Sequence, residues 1–367
     1  GVDLVLVPEI DSLHPDIVPM SAQLEQGRVP PGFEPMRARL VETLAPILAR
    51  FDNLIVHNVF TKHFNLPLTA ALDHILDGEE PPHCIAWCHD FTWTSPSSGS
   101  KVHPGYPWDL LRTQRPEVTY AVVSKARRQE LAGLFGCPPD EIRVLYNGVD
   151  PQALLGLSAE GADLVDRLGL LERDLVLLMP VRVTQAKNIE YALRVVAALK
   201  AQGCRPRLVL TGPPDPHDAD SMAYFRSLQA LRRELGVDRE MRFVFESGPD
   251  PGEPYIIDAA VVGDLFRASD LMFMPSHREG FAMPVLEAGL AGIPVVSTGV
   301  PAAVEIGGED VITFGLDETA ERLAARLLAW AEGSAVHRLR RRVRQRYTWR
   351  AIFQRDIEPL LRSRRDL

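Results

Sequence analysis

With 367 residues, 46% of them hydrophobic and 24% charged, the chain has the composition of a soluble globular enzyme and is too long for one ordinary core, so two domains are expected. A net charge of −9 argues against nucleic acid as the main partner, because binding a phosphate backbone needs a basic surface. No uninterrupted apolar stretch approaches the roughly 20 residues of a membrane span, and no signal peptide is visible, which leads to the expectation of a cytoplasmic protein.

Strand and helix patterns alternate almost from end to end, the signature of parallel sheets with crossover helices. The first series has strand-like runs at Val2 to Val7, Asn53 to His57, Cys84 to His89, Val118 to Ser124 and Ile142 to Leu145, with helical patterns at Met36 to Arg50 and Lys125 to Phe135. Cys84 and Cys88, within an apolar run, are read as packing residues rather than metal ligands, and with Cys137 and Cys204 they fit a reducing compartment. The segment Phe91 to Trp108, rich in Ser, Pro, Gly and aromatics, reads as a mobile loop whose Trp93, Tyr106 and Trp108 either stack on a ligand or pack onto their own domain. Turn residues from Gly148 to Asp163 mark the joint. The second series places strands at Leu175 to Pro180, Arg207 to Thr211, Arg242 to Phe245, Leu271 to Pro275, Pro294 to Ser297 and Val311 to Phe314. Helical stretches lie between them at Asn188 to Gln202, Ser221 to Leu235 and Thr319 to Glu332.

The densest signal is Glu279-Gly-Phe-Ala-Met-Pro-Val-Leu-Glu287, two carboxylates eight positions apart that bracket a loop and the first turn of a helix. Open α/β sheets bind ligands at the carboxyl ends of their strands, where a helix N-terminus offers N–H groups to an anion. Such an anion would repel a carboxylate, so Glu279 and Glu287 are read as gripping neutral hydroxyls on either side of it. Sugar and ribose are the candidates.

These residues, with Asp270 before the strand and Gly292-Ile-Pro-Val-Val296 after the helix, resemble the donor-site signature of retaining glycosyltransferases of family 4. Arg182 and Lys187 resemble that family's Gly-Arg-x-x-x-x-Lys element, Tyr146-Asn-Gly-Val-Asp150 its segment at the domain joint, and His89-Asp90 a strand end in its first domain. The resemblance implies an α/β protein of the GT-B class, two Rossmann-like doubly wound domains facing a central cleft. Its implied extents are 1–152 plus a returning C-terminal helix at 347–367 for the acceptor-side domain, and 153–346 for the donor-side domain. There are departures. Val181 and Ala282 stand where the family commonly has glycine, which is tolerable if the backbone there needs no positive φ. No glycine-rich loop follows Val2 to Val7, so either upstream residues that supply the central strand and its loop are missing from the sequence, or the first strand is divergent.

The resemblance also distributes roles. Arg182 and Lys187 would hold a donor pyrophosphate, Glu287 the ribose, and Glu279 the transferred sugar, with Gly280, Phe281, Ala282 and Met283 lining the donor site. His89 would orient the sugar, while His57, Asn58 and Asp90 would line the acceptor side. The implied partners are a nucleotide sugar and a hydroxyl acceptor, whether polyol, saccharide or lipid carrier, with no cofactor and no metal. Asp218-Ala-Asp220, at the end of a proline-rich loop leading into a helix, reads as helix capping rather than a metal motif. The eight arginines from His337 to Arg355 could favour anionic lipid, but the apolar residues among them favour a packed helix over peripheral membrane contact. The expected chemistry is hexosyl transfer with retention by front-face attack, domain closure excluding water. A hydrolysing epimerase of the same fold and a non-catalytic nucleotide-sugar binding protein are the alternatives.

Overall fold

The computed structural model describes residues 2–215, 217–250 and 252–362. The chain divides into two units, Gly1–Asn147 with Ile352–Leu367, and Gly148–Ala351.

In the first unit four parallel strands, β1 (Asn53–His57), β2 (His83–Cys88), β3 (Val118–Val122) and β4 (Arg143–Val144), lie in the order β1-β2-β3-β4. Strand alternation sends Cys84, Ala86 and Cys88 of β2 to one face, into a core with the helices Phe33–Leu48 and Leu66–Leu76. It sends Ile85 and Trp87 to the other, where Ile352 and Ile357 from the returning C-terminal segment cover them. Both cysteines are thus buried core residues, and burial pushes each thiol up to about 12. Helix Lys125–Phe135 begins where Ser124 accepts the Arg127 amide and ends where Gly136 adopts φ 71°, the backbone form a glycine enters freely.

One expected strand is absent. Val2–Val7 pairs with no described strand, and Val2, Leu4 and Leu6 are exposed while Val7 alone of the run packs on the core. Alternating apolar residues suit a strand, but a strand exists only where a ladder partner takes up its amides and carbonyls.

The Phe91–Trp108 segment packs onto its own domain. Phe91, Val102 and Trp108 are buried. Trp93 donates its indole N–H to the Trp108 carbonyl and lies 4.0 Å beneath the Arg112 guanidinium. Tyr106 donates to Glu34 and meets Phe33 edge-on. The buried His63 bridges Thr92 and Glu25, which also holds Lys101.

The second unit has six parallel strands, β5 (Leu175–Met179), β6 (Pro206–Leu210), β7 (Met241–Phe243), β8 (Leu271–Met274), β9 (Val295–Thr298) and β10 (Val311–Phe314). Their order is β10-β9-β8-β5-β6-β7, so the winding reverses between β5 and β8. The unbroken apolar strands follow from cover on both faces. Leu175, Leu177 and Met179 enter a core with the helices Ile189–Ala201 and Ala320–Gly333, while Val176 and Leu178 enter one with Ala159–Arg167 and Ala259–Ala268. Each such fully buried side chain contributes about 1.5–3 kcal/mol.

At the N-terminal end of β8, Asp270 is buried and knits the domain together. It accepts the Val176 amide at 2.8 Å and a forked pair from Arg344 at 3.0 and 2.9 Å. Arg344 belongs to the helix Ala335–Arg346, so this arginine-rich stretch is in part packed. Burial would raise the Asp270 carboxyl, but His337 and Arg344 beside it outweigh that and hold it low. Asp218 caps the helix Ala219–Glu234 by accepting the Asp220 amide at 2.9 Å.

Candidate functional site

A reversal of strand order leaves a crevice at the carboxyl ends of the two central strands, the usual ligand position in an open parallel sheet. Here those strands are β5 and β8, and the loops that leave them carry the residues picked out from the sequence. After β5 the chain makes a tight turn in which Val181 and Val183 are buried and Arg182 is exposed. The turn is tied to the loop after β6 by bonds from the Gly212 amide to the Val181 carbonyl, 3.0 Å, and from the Val183 amide to the Pro213 carbonyl, 3.4 Å. Gly212 has to be glycine, because a Cβ there would lie 2.4 Å from the Val181 carbonyl oxygen and 2.7 Å from the Arg182 Cα. Gln185–Lys187 then forms a single 3-10 turn, and Asn188, at φ 51°, starts the next helix.

The loop after β8 runs alongside, with the His277 amide donating to the Ala186 carbonyl at 2.8 Å. This brings Lys187 and Glu279, 92 residues apart in sequence, into a forked ion pair with Nζ 2.7 Å from each carboxylate oxygen. The Glu279 side chain is only 9% exposed and that of Lys187 20%, so the pair is well shielded from solvent. Gly280 and Phe281 are exposed, Ala282 is buried, and the helix Met283–Ala291 opens immediately after, its N-terminal end at the same edge. Glu287 is exposed, just over one turn into that helix. Neither Arg182 nor Glu287 forms an ion pair among the described residues, so both remain open to a ligand. Arg182, Lys187, Glu279, Gly280, Phe281, Ala282, Met283 and Glu287 therefore lie on the loops and the following helix at one end of the sheet, and the side-chain ion pair formed within this group, among the described residues, is Lys187 with Glu279.

The two departures from the family's glycines resolve differently. Val181 has no positive φ, but Ala282 sits at φ 61°, ψ 49°, a left-handed conformation that costs an alanine roughly 1 kcal/mol. Among the described residues the non-glycines with positive φ are Asn58, Asn188 and Ala282, and all lie in or beside the candidate segments. Strain of this kind persists where the surroundings over-determine it, commonly at functional sites.

A second cluster lies in the first domain at the ends of β1 and β2. His57, exposed, stacks on Trp87 with centroids 5.3 Å apart, and its Nδ1 lies 3.3 Å from His89 Nε2. Asn58, at φ 62°, accepts the His89 amide at 2.7 Å and the Asp90 amide at 3.4 Å through its side-chain oxygen. Asp90 accepts from Arg127 at 2.7 Å. Burial first, then the neighbouring His57, push the His89 imidazole below its ordinary value against the pull of Asp90. A neutral imidazole offers one donor and one acceptor, the complement of a hydroxyl. His57, Asn58, His89 and Asp90 are thus one hydrogen-bonded group.

Sequence reasoning missed Gly212, Ser276 and Thr298. Ser276 is fully buried and donates to Glu279 Oε1 at 2.5 Å, while Thr298 at the end of β9 donates to the Ser276 carbonyl at 2.6 Å. The available signal was a hydroxyl three residues before an acid in a loop that leaves an apolar strand.

The model of the family described as "Glycosyl transferases group 1" matches residues 163–347, and that of "Glycosyltransferase Family 4" matches 2–153. A D-inositol 3-phosphate glycosyltransferase of Saccharomonospora viridis is 32% identical over 60% of this chain and 50% of its own length. A protein of the same name from Stackebrandtia nassauensis is 31% identical over 53% of this chain and 42% of its own. The chain thus spans about half the length of the curated relatives it matches. Among solved structures, Anabaena Alr3699/HepE in complex with UDP is 19% identical, covering 89% of this chain and 82% of that one with a TM-score of 0.40.

Proposed function

The chain belongs to the glycosyl transferases group 1 family, and on that premise we propose that it moves a hexosyl unit from a nucleotide sugar, a UDP- or GDP-hexose, to a hydroxyl acceptor with retention of anomeric configuration. The observation that carries this reading is the meeting of Lys187 and Glu279 at the switch point between β5 and β8, with Arg182 on the same strand-end loop. In the proposed reaction Arg182 and Lys187 hold the donor's pyrophosphate. A guanidinium fork and an ammonium, with the N-terminal end of the helix Met283–Ala291, stabilise negative charge as it builds on the departing diphosphate. No metal or organic cofactor enters this scheme.

Glu279 accepts hydrogen bonds from hydroxyls of the transferred sugar and Glu287 from those of the ribose, with Gly280, Phe281, Ala282 and Met283 between them. In front-face transfer the acceptor oxygen attacks on the side from which the diphosphate leaves, and a donor phosphate oxygen takes its proton. The His57, Asn58, His89 and Asp90 group is assigned to reacting hydroxyls, since a neutral His89 imidazole can both donate and accept. Relatives named for D-inositol 3-phosphate make a phosphorylated cyclitol the first acceptor to try, followed by saccharides and lipid carriers.

The test is acceptor-dependent release of nucleoside diphosphate, with the anomeric configuration of the product read by NMR. Retention is expected; Lys187→Ala should lower turnover at least a hundredfold, the scale of losing one charge-stabilising contact in a transition state, and Glu287→Ala should weaken donor binding and so lower turnover at limiting donor. An inverted product would exclude front-face retention. Release without any acceptor would point to a hydrolysing epimerase, and tight binding without turnover to a binding protein.

A further inference from the structure

Lys187 is asked to serve two partners: its Nζ donates to both oxygens of Glu279, and in the proposed reaction it holds a pyrophosphate. A carboxylate abandoned by the cation that pairs with it among the described residues would be free to swing, and a displaced group at a reacting centre loses much of its effect. Glu279 has a second anchor. Ser276 Oγ donates to Oε1 at 2.5 Å, and Ser276 is itself immobilised, 0% exposed, with its carbonyl held at 2.6 Å by Thr298. Thr298 ends β9, the hydrogen-bonded neighbour of β8, and is 2% exposed. The next amide, that of His277, is bonded to Ala186. Glu279 is therefore fastened on one side by a long lysine able to leave and on the other by a short hydroxyl backed by two strands.

We infer that Ser276 is the positioning residue of the donor site: it retains Glu279 Oε1 when Lys187 moves to the diphosphate, so that Oε2 is the oxygen presented to the transferred sugar. The inference rests on the donor-site reading given above. Its consequence is selective, because the nucleoside diphosphate portion of the donor does not depend on Glu279 whereas the sugar does.

The test compares dissociation constants by calorimetry for UDP and GDP with those for UDP-glucose and GDP-mannose, in the whole chain and in Ser276→Ala, Ser276→Thr, Lys187→Ala and Glu279→Gln. For the nucleotide whose sugar derivative binds, Ser276→Ala is expected to leave diphosphate affinity within twofold and to weaken the sugar nucleotide about tenfold, the size of a lost hydrogen bond to a charged group. The same variant should raise KM for the donor more than it lowers kcat, and Ser276→Thr, which keeps the hydroxyl, should recover most of both. Equal weakening of diphosphate and sugar nucleotide would show a merely structural residue and overturn the inference. Wild-type behaviour of Ser276→Ala beside impaired Lys187→Ala and Glu279→Gln would overturn the role of Ser276 alone. If Lys187→Ala and Glu279→Gln also bind donor normally, the donor-site reading fails and the inference falls with it.

Discussion

His89 and His63 both have imidazoles held below their ordinary value chiefly by burial, and the sign of the consequence is fixed. A histidine of this kind binds fewer protons folded than unfolded, so its contribution to stability is complete above about pH 6.5 and is lost as pH falls from there toward the lower folded value. Urea unfolding from pH 7.5 to 5 should show stability declining below pH 6.5, with a shallower decline in His63→Gln and in His89→Gln. An unchanged slope in both variants would mean that other groups carry the effect. At this scale the sequence singled out Glu279 and Glu287 by their chemistry and spacing, and Arg182 and Lys187 by resemblance to a family element. It could not reveal the partner of Glu279, because Ser276 is one of many serines until β9 brings Thr298 against its carbonyl. Nor could it show that Ala282 is left-handed, since alanine carries no mark of backbone strain.

Among the elements, boundaries were most legible where local chemistry declares them. Ser124 and Gly136 frame the helix Lys125–Phe135 from both ends, and the apolar runs of β5, β6 and β8 stand out because both faces of a parallel sheet are covered. Val2–Val7 misled because its alternation is a property of the segment, whereas pairing is a property of its neighbours. Gly212 shows the same dependence on neighbours. It lets the loop after β6 press against the turn that carries Arg182, so Gly212→Ala must push the two apart. We expect this variant to lose about 1–3 kcal/mol of stability, as overpacking generally costs, and to bind nucleoside diphosphate more weakly than its stability loss alone would cause. Calorimetric affinity measured well below the unfolding temperature separates the two effects, and normal affinity would show that the Arg182 turn adapts.

At the scale of the molecule, no helix among the described residues is long and apolar enough to cross a membrane. Within the second unit, at the end of the sheet opposite Lys187 and Glu279, Asp270 joins β5, β8 and the helix Ala335–Arg346 through Val176 and Arg344. Removing one partner of a buried ion pair strands the other, so Asp270→Asn should cost about 3 kcal/mol or more in urea unfolding, while donor affinity of the folded fraction stays near normal. Loss of affinity without loss of stability would place Asp270 in the site instead. The ladder between β5 and β8 has a consequence for how such a chain can change over time. The distance between Lys187 and Glu279 is set by the neighbouring strands β5 and β8 and not by the separation of 92 in sequence, most of which is taken up by β6, β7 and their crossovers. Changes of length in the outlying crossovers therefore leave the pair in register so long as the contacts of Gly212, Asp270 and Ser276 within the same stretch are kept.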